Sequence, residues 1–536
     1  MKSVRVFLIL IGAVFCLAAA QDKPVPIGYK VGAITLVRVP VLQAGNLPAG
    51  AKIITFANRL HIQTREWIIR NELLVREGDI YRDDLVEESE RNLRKLYTLG
   101  EVYITRDTVS GGRINLQVHT RDKWSLELGG SYKQAGGITT TRLTLQEHNL
   151  VGLAQLFRVS YNRSSDRTRP EGREIVFYDR RLLGSRWAIS WQYSSAEELD
   201  IQAFSVHRGY FSEATTWAGG TFANRLIYRP RYYEAGRLTQ VFEISQNNAG
   251  LWGSRSFGDT LKLRLGSAIT HTRTKTTNIP VRPIHNLDLV TVAISPRYAT
   301  FYKDRYLDNF GRIEDVAEGF LLNLILGANL YRSAAATARR YYRCDLKLAR
   351  RLTPSVFAGA QVSWSAFATD HALADQLTWL TIQGYFKLAP RHLLAARLQG
   401  GWGWNWSPYR QFVLGSLTGL RGYPAYAFNG EKLLLVNLEE RFFSPLKLWI
   451  FRFGSTLFFD AGTVQQSGEP LRLNRLHPAW GFGIRIENTV QQGSGILRID
   501  FVFTPEQAGL AEMVISTGQL FPAFLGLSFV APNAIR

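Results

Sequence analysis

Charge set at bends and within otherwise apolar stretches is where this chain could do chemistry. Leu420-Arg421-Gly422-Tyr423 places a guanidinium and a phenol at a glycine-rich bend. Downstream, Asp460 sits in Phe458-Phe459-Asp460-Ala461-Gly462, and Asp500 closes Leu497-Arg498-Ile499-Asp500. Glu439 and Arg441 lie between bend and Asp460, and Gly483 and Arg485 between the two aspartates. A guanidinium can clasp a carboxylate through two parallel bonds, and does so most firmly where water is scarce. The chemistry on offer is therefore ion pairing that fixes a loop, and Asp460 is one carboxylate that Arg421 can meet. Bond-making catalysis has no comparable support. No HExxH, GxSxG or Walker A pattern occurs. The nine histidines are scattered, and His61, His119, His148 and His477 read as polar surface or lumen residues. A Ser-His-acid hydrolase would need three residues brought together from distant positions. The expectation is a protein that is not an enzyme and carries no metal and no cofactor.

Such charges need elements to hold them. From Trp124 onward, segments of roughly ten residues alternate apolar and polar. Leu261, Leu263, Leu265 and Ile269 alternate with Lys262, Arg264 and Thr270; Leu380, Ile382, Phe386 and Leu388 with Thr381, Gln383 and Lys387; Leu497, Ile499, Phe501 and Phe503 with Arg498 and Asp500. In a transmembrane barrel one parity faces lipid and the other a polar lumen. Across Lys447 to Gly462, Asp460 shares its parity with Arg452 and Thr456, and so points inward. Phe458 falls on that same side and breaks the alternation. By the same count Asn437, Glu439, Arg441, Gly483, Arg485 and Glu487 face inward, while Phe482, Ile484 and Ile486 face lipid. The fold class expected is mainly β: a transmembrane antiparallel barrel over 124–536. At about 25 residues per strand and connection it would have about 16 strands. Polar stretches near 164–173, 194–200, 271–287 and 465–477 are the expected loops.

Bulk properties are compatible with this. The mean hydropathy is −0.09, and no apolar run after the N-terminal stretch is long enough for a spanning helix. A barrel hides from such averages, because only alternate residues meet lipid. The formal charge is +20, with Lys and Arg spread through the alternating segments rather than gathered in one patch. That favours anionic lipid headgroups and a polar lumen over nucleic acid. Of two cysteines, Cys16 lies in the apolar leader. Cys344 shares the parity of its neighbouring leucines, so no internal disulfide forms in the mature chain.

Residues 1–20 read as a signal peptide: Lys2 and Arg5, the apolar Val6 to Leu17, then Ala18-Ala19-Ala20. Residues 21–51 read as a linker with several prolines and a possible strand near Ile34 to Val39. Residues 52–121 read as β-α-α-β-β. The strand is Lys52 to Phe56. Helix one is Arg65 to Leu74, capped by Thr64, with Trp67, Ile68 and Leu74 on one face. Helix two starts at Asp83, buries Leu85, Val86, Leu93, Leu96 and Tyr97, and stops at Gly100. Val102-Tyr103-Ile104 and Ile114 to Val118 then form strands about a turn at Ser110-Gly111-Gly112.

Taken in order, Arg421-Gly422-Tyr423, Phe458 to Gly462, Gly481-Phe482-Gly483-Ile484-Arg485 and Leu497-Arg498-Ile499-Asp500 resemble the C-terminal barrel motifs of the BamA/TamA superfamily of outer-membrane assembly and translocation barrels. Asn149-Leu150-Val151-Gly152-Leu153-Ala154-Gln155 resembles a further piece near the barrel start. Residues 52–121 resemble a single POTRA domain, through the EGD after helix one and NLRKLYTLG at the end of helix two. The resemblance implies that Arg421 folds into the lumen and pairs with Asp460. It also implies a cell outer-membrane location with the N-terminal domain in the periplasm. The partners implied are outer-membrane lipids and extended polypeptide clients held by the POTRA domain, with the accessory proteins unknown. The activity implied is insertion or translocation of polypeptides; the alternatives are a passive pore and a two-partner secretion transporter.

Overall fold

The computed structural model describes residues 28–39, 62–109, 112–165, 171–196, 198–277, 287–330, 340–369, 372–407, 410–488, 496–522, 527 and 531–532. The expected leader, most of the expected linker and the expected strand Lys52 to Phe56 lie outside them. The chain forms a small α+β unit that leads directly into a large closed barrel.

The small unit is a three-stranded sheet with two helices. β1 (Lys30–Val39) pairs parallel with β3 (Arg113–Asp122), which pairs antiparallel with β2 (Leu99–Val109). β1 thus comes from the span expected to be linker. Val31 and Ile34 take it into the core, together with Ile68, Ile69, Val86, Leu93 and Val118. Helix α1 spans Glu66–Glu72 and α2 spans Asp83–Arg94. Four local expectations fail here. Thr64 is no cap: α1 starts two residues later with Arg65 at the cap position, and the Thr64 hydroxyl makes no hydrogen bond to it. Trp67 and Tyr97 stay exposed, since Ile68 and Ile69 already fill the core and Tyr97 stacks outside it on His148. Gly100 does not end α2; the Lys95 N–H closes that helix, and Gly100 lies within β2.

The barrel is a closed sheet of twenty strands, from Leu126–Ala135 to Gln507–Thr517. The expected number of about 16 was too low because the connections are shorter than assumed. Ala135 reaches Ile138, Ala389 reaches His392, and Thr504 reaches Gln507 across two-residue turns. Residues 271–277, expected as loop, continue the strand Lys262–Thr277. The stretch from Lys447 to Gly462 is not one strand either: the chain turns at Trp449, between Lys432–Leu448 and Phe451–Gln465. Closure is uneven. Internal neighbours pair along most of their length, whereas the last strand meets the first at one position, Ile515 with Gln134.

Alternation along the strands has the two faces the sequence implies. Leu263, Leu265 and Ile269 project outward, while Arg264 and Thr270 are buried inside. Ile382 and Phe386 face out and Gln383 and Tyr385 in. Spin labels at Ile382 and Phe386 are accordingly expected to be accessible to oxygen in a bilayer, and one at Thr381, on the inward parity and only partly buried, to aqueous reagents. Accessibility of the opposite sign would overturn this register.

Both helices sit against the near mouth of the barrel. Glu72, with no exposed surface, takes Arg181 Nε and Nη2 at 2.8 and 2.5 Å. Arg94 clasps Asp315 at 2.7 and 2.6 Å, and Lys303 reaches Glu90 at 2.7 Å. The Arg181 and Arg94 pairs, largely cut off from water, resist separation more than a surface pair does, whereas Lys303 stays half exposed.

Candidate functional site

The site lies inside the barrel and is built from the loop between His392–Trp404 and Lys432–Leu448, plus the inner face of the last five strands. After the bend the loop is tied to the first hairpin turn, where Ala425 N–H bonds to Gly136 O. It is held inward by apolar anchors: Leu414 and Leu420 are fully buried and pack with Leu433, Leu435, Phe458 and Val502. Two backbone positions allow the bend. Gly422 has φ +86°, and a Cβ there would lie 2.7 Å from Thr504 Cγ2. Gly419 has φ +112°. Both are conformations that side-chain-bearing residues seldom adopt.

The bend delivers Arg421, which has no exposed surface. Its Nε donates to Asp460 Oδ2 at 2.7 Å and its Nη2 to Asp460 Oδ1 at 2.9 Å. Nη1 donates to Asp500 Oδ2 at 2.8 Å and to Glu439 Oε1 at 3.2 Å. One guanidinium therefore joins three strands. The plane of Phe458 lies beneath it, with the ring centroid 3.5 Å from Cζ. That contact explains why Phe458 breaks the alternation: its ring faces inward as a platform for the cation. Gly481 makes the platform possible, since a Cβ there would come within 2.6 Å of the Phe458 ring.

The other expected lumen residues complete a network. Arg485 donates to Asp500 Oδ1 at 2.6 Å, and Arg441 to Glu439 Oε2 at 3.0 Å. Gly483 leaves room for the first of these pairs; its Cβ would lie 2.2 Å from Asp500 Oδ1. Tyr423 Oη reaches Pro478 O and Glu506 Oε2, both at 2.9 Å. Leu420 contributes apolar burial alone. The structure brings Arg421, Glu439, Arg441, Asp460, Gly483, Arg485 and Asp500 into one cluster, with Leu420, Gly422 and Tyr423 fixing the bend that feeds it.

Sequence reasoning assigned no role in the site to three participants, although it set Asn437 and Arg498 on the polar parity. Asn437 bridges Asp460 Oδ1 and Gly419 O, at 2.7 and 2.9 Å. Arg498 approaches Asp500 at 3.4 Å. Glu512, on the last strand, accepts from Ser416 Oγ at 2.7 Å, from Gly422 N–H at 2.8 Å and from Gly136 N–H. Its signal was a lone carboxylate in the otherwise apolar run Leu510-Ala511-Glu512-Met513-Val514. Glu512 thereby ties the loop to both sides of the thinly paired seam. This arrangement can hold a loop rigidly across a lumen. Among the described residues no cluster of His, Cys, Asp or Glu could hold a metal ion.

Comparison with known proteins gives one sequence relative. The outer membrane protein assembly factor BamA of Neorickettsia risticii is 29% identical over 132 residues, covering 24% of this chain and 15% of that protein. The matched part is thus well short of the relative's full length. No protein-family model matches the chain. Among solved structures, BamA from Haemophilus ducreyi lacking POTRA domains 1–3 is 12% identical over 91% of this chain and 83% of that one, with a TM-score of 0.38. CdiB from Acinetobacter baumannii is 11% identical over 96% and 97%, with a TM-score of 0.44. The sequence match, taken with the four motifs, supports the BamA/TamA-type outer-membrane barrel superfamily for this chain.

Proposed function

We propose that this protein resides in a bacterial outer membrane and inserts or translocates polypeptides there, with its small α+β unit acting as a periplasmic POTRA domain. The observation that carries the reading is the inward loop, clasped by Arg421 to three carboxylates and by Glu512 to the seam. A loop fixed in this way occupies lumen that an open solute channel leaves to water. Two further features support the proposal. The sheet of the small unit has outer strands β1 and β2, and a client segment can add to such an edge through its backbone. The seam pairs at one position, so little ladder bonding opposes the entry of another strand.

Reconstitution tests this directly. Lipid vesicles carrying the purified chain are expected to accelerate membrane insertion or uptake of an unfolded outer-membrane polypeptide relative to empty vesicles, without ATP. Vesicles that swell in small solutes yet leave polypeptide insertion and uptake at the empty-vesicle rate would identify a passive pore. Depletion in a cell discriminates further: loss of many outer-membrane proteins indicates an assembly factor, and loss of one exported protein a secretion transporter.

A further inference from the structure

On the outer wall the strand register sets two unlike rows side by side. Trp217, Arg255 and Leu265 lie opposite one another at the near mouth. The loop just before Trp217 touches the small unit there, Glu213 N–H bonding to Glu88 Oε1 of α2 at 2.7 Å. One step further from that mouth, Gly219, Gly253 and Ser267 form the next row on the same face. The face is the outer one: Trp217, Arg255 and Leu265 are exposed, whereas Ala218 and Ser254, between the rows, are buried. The missing bulk leaves an open groove of about 530 Å³, and a Cβ on Gly253 would meet nothing within 4 Å. Cations gather at the same end. Arg208 is opposite Gly219, and its guanidinium lies over the Trp217 ring, 3.9 Å from the centroid. The Phe211 ring centroid is 5.1 Å from Cζ of Arg208 and 4.4 Å from that of Arg186. Trp187 meets Trp217 edge-on at 5.9 Å. Among the described residues none of Arg186, Arg208 and Arg255 pairs with a carboxylate, and Arg186 Nη1 is buried without a hydrogen-bond partner.

We infer that this part of the wall is a seat for one anionic glycerophospholipid, drawn from the leaflet on the side of the small unit. Its phosphate meets Arg208 and Arg255 at the rim, and an acyl chain lies in the groove over Gly253. The occupant follows from where the groove is. The outward face of a membrane barrel meets lipid. Arginine without an acidic partner favours an anion, and its planar fork suits a phosphate. Tryptophan rings at the rim mark the level of the headgroups. The charged end of the site lies at the rim and the apolar void deeper, the same order as in a phospholipid. The seat rests on the membrane placement proposed above, and on nothing in the polypeptide activity.

The full chain, stripped of lipid in detergent, is titrated with phosphatidylglycerol and with phosphatidylcholine, and bound lipid is counted by native mass spectrometry. Phosphatidylglycerol is expected to bind about tenfold more tightly than phosphatidylcholine, as two arginines facing an anionic headgroup allow. Arg208→Gln with Arg255→Gln is expected to remove that preference. Gly253→Leu is expected to weaken both lipids alike, because it fills the groove and leaves the cations in place. The open space at Gly253 means that no clash opposes folding of this variant. Millimolar inorganic phosphate is expected to leave phosphatidylglycerol bound. Equal binding of the two lipids by the parent, a preference that survives loss of both arginines, or a Gly253→Leu barrel that binds as the parent does overturns the seat. So does displacement of the lipid by phosphate, which would reduce the site to its cations.

Discussion

Arg421→Ala is expected to release the lumen loop and to destabilise the barrel by about 3–5 kcal/mol, the cost of leaving a buried charge without its partner. The distribution of partners makes the expectation asymmetric. Without Arg421, Asp500 retains Arg485 and Arg498, and Glu439 retains Arg441. Asp460, with no exposed surface, retains one hydrogen-bond donor, the amide of Asn437, and the more distant charge of Arg397. In the opposite deletion, Asp460→Ala, Arg421 still reaches Asp500 and Glu439. Arg421→Ala should therefore be the worse single change, and Arg421→Ala with Asp460→Ala should be milder than Arg421→Ala alone, because the stranded carboxylate is gone. Such sub-additivity marks direct contact. Arg421→Lys should rescue little, since a single ammonium lacks the fork that spans three carboxylates and the flat face that stacks on Phe458. The checks are the temperature at which the barrel loses its compact gel mobility and the rate of protease cleavage within 405–431. Additive effects, or a loop as resistant in Arg421→Ala as in the parent, would show that the two residues act apart.

Removing the small unit is expected to have the opposite profile: loss of the proposed activity with the barrel intact. The segment to delete is 28–121 rather than 52–121, because β1 belongs to the same sheet and would be left with unpaired edges. The barrel closes its own backbone bonds and needs no help from the unit. Deletion exposes Arg181 to water instead of stranding it in a dry interface, and Lys303 is already half exposed, so their loss of Glu72 and Glu90 costs little. Glu72→Ala is harsher on the docked state than deletion is on the barrel, for it leaves Arg181 buried without its bidentate partner. The measurement is heat-modifiability alongside polypeptide insertion. A shortened chain that still inserts clients at the parent rate would refute any role for the unit in handling them.

The parity of the barrel strands was readable because one face of each strand meets lipid and the other does not. Leu263, Arg264 and Leu265 show the contrast within three residues. Strand number was not readable, because it depends on turn length, and two-residue turns such as Gly136-Gly137 leave little trace between alternating segments. Inward placement of Asp460, Glu439 and Arg485 followed from counting. Phe458 was the instructive exception: the pattern failed where the site needed an aromatic ring, and the failure itself marked the cation's seat. Glu512 left a weaker signal, a single acid.

The separation of the paired residues along the chain has a consequence for the order in which the molecule assembles. Arg421 finds Asp460 39 residues away and Asp500 79 residues away, and every strand of the cluster lies among the last five. Closing the ring joins Gln134 to Ile515, across nearly the whole barrel. Short loops close at lower entropic cost than long ones. The clasp can thus be complete on an open, curved sheet while the ring still gapes. Glu512 would by then already hold Ser416 and Gly422, standing at the free margin with one further acceptor position for Gly136. The first hairpin then arrives at a prepared docking point, so the filled lumen acts as a mandrel around which the circle is finished.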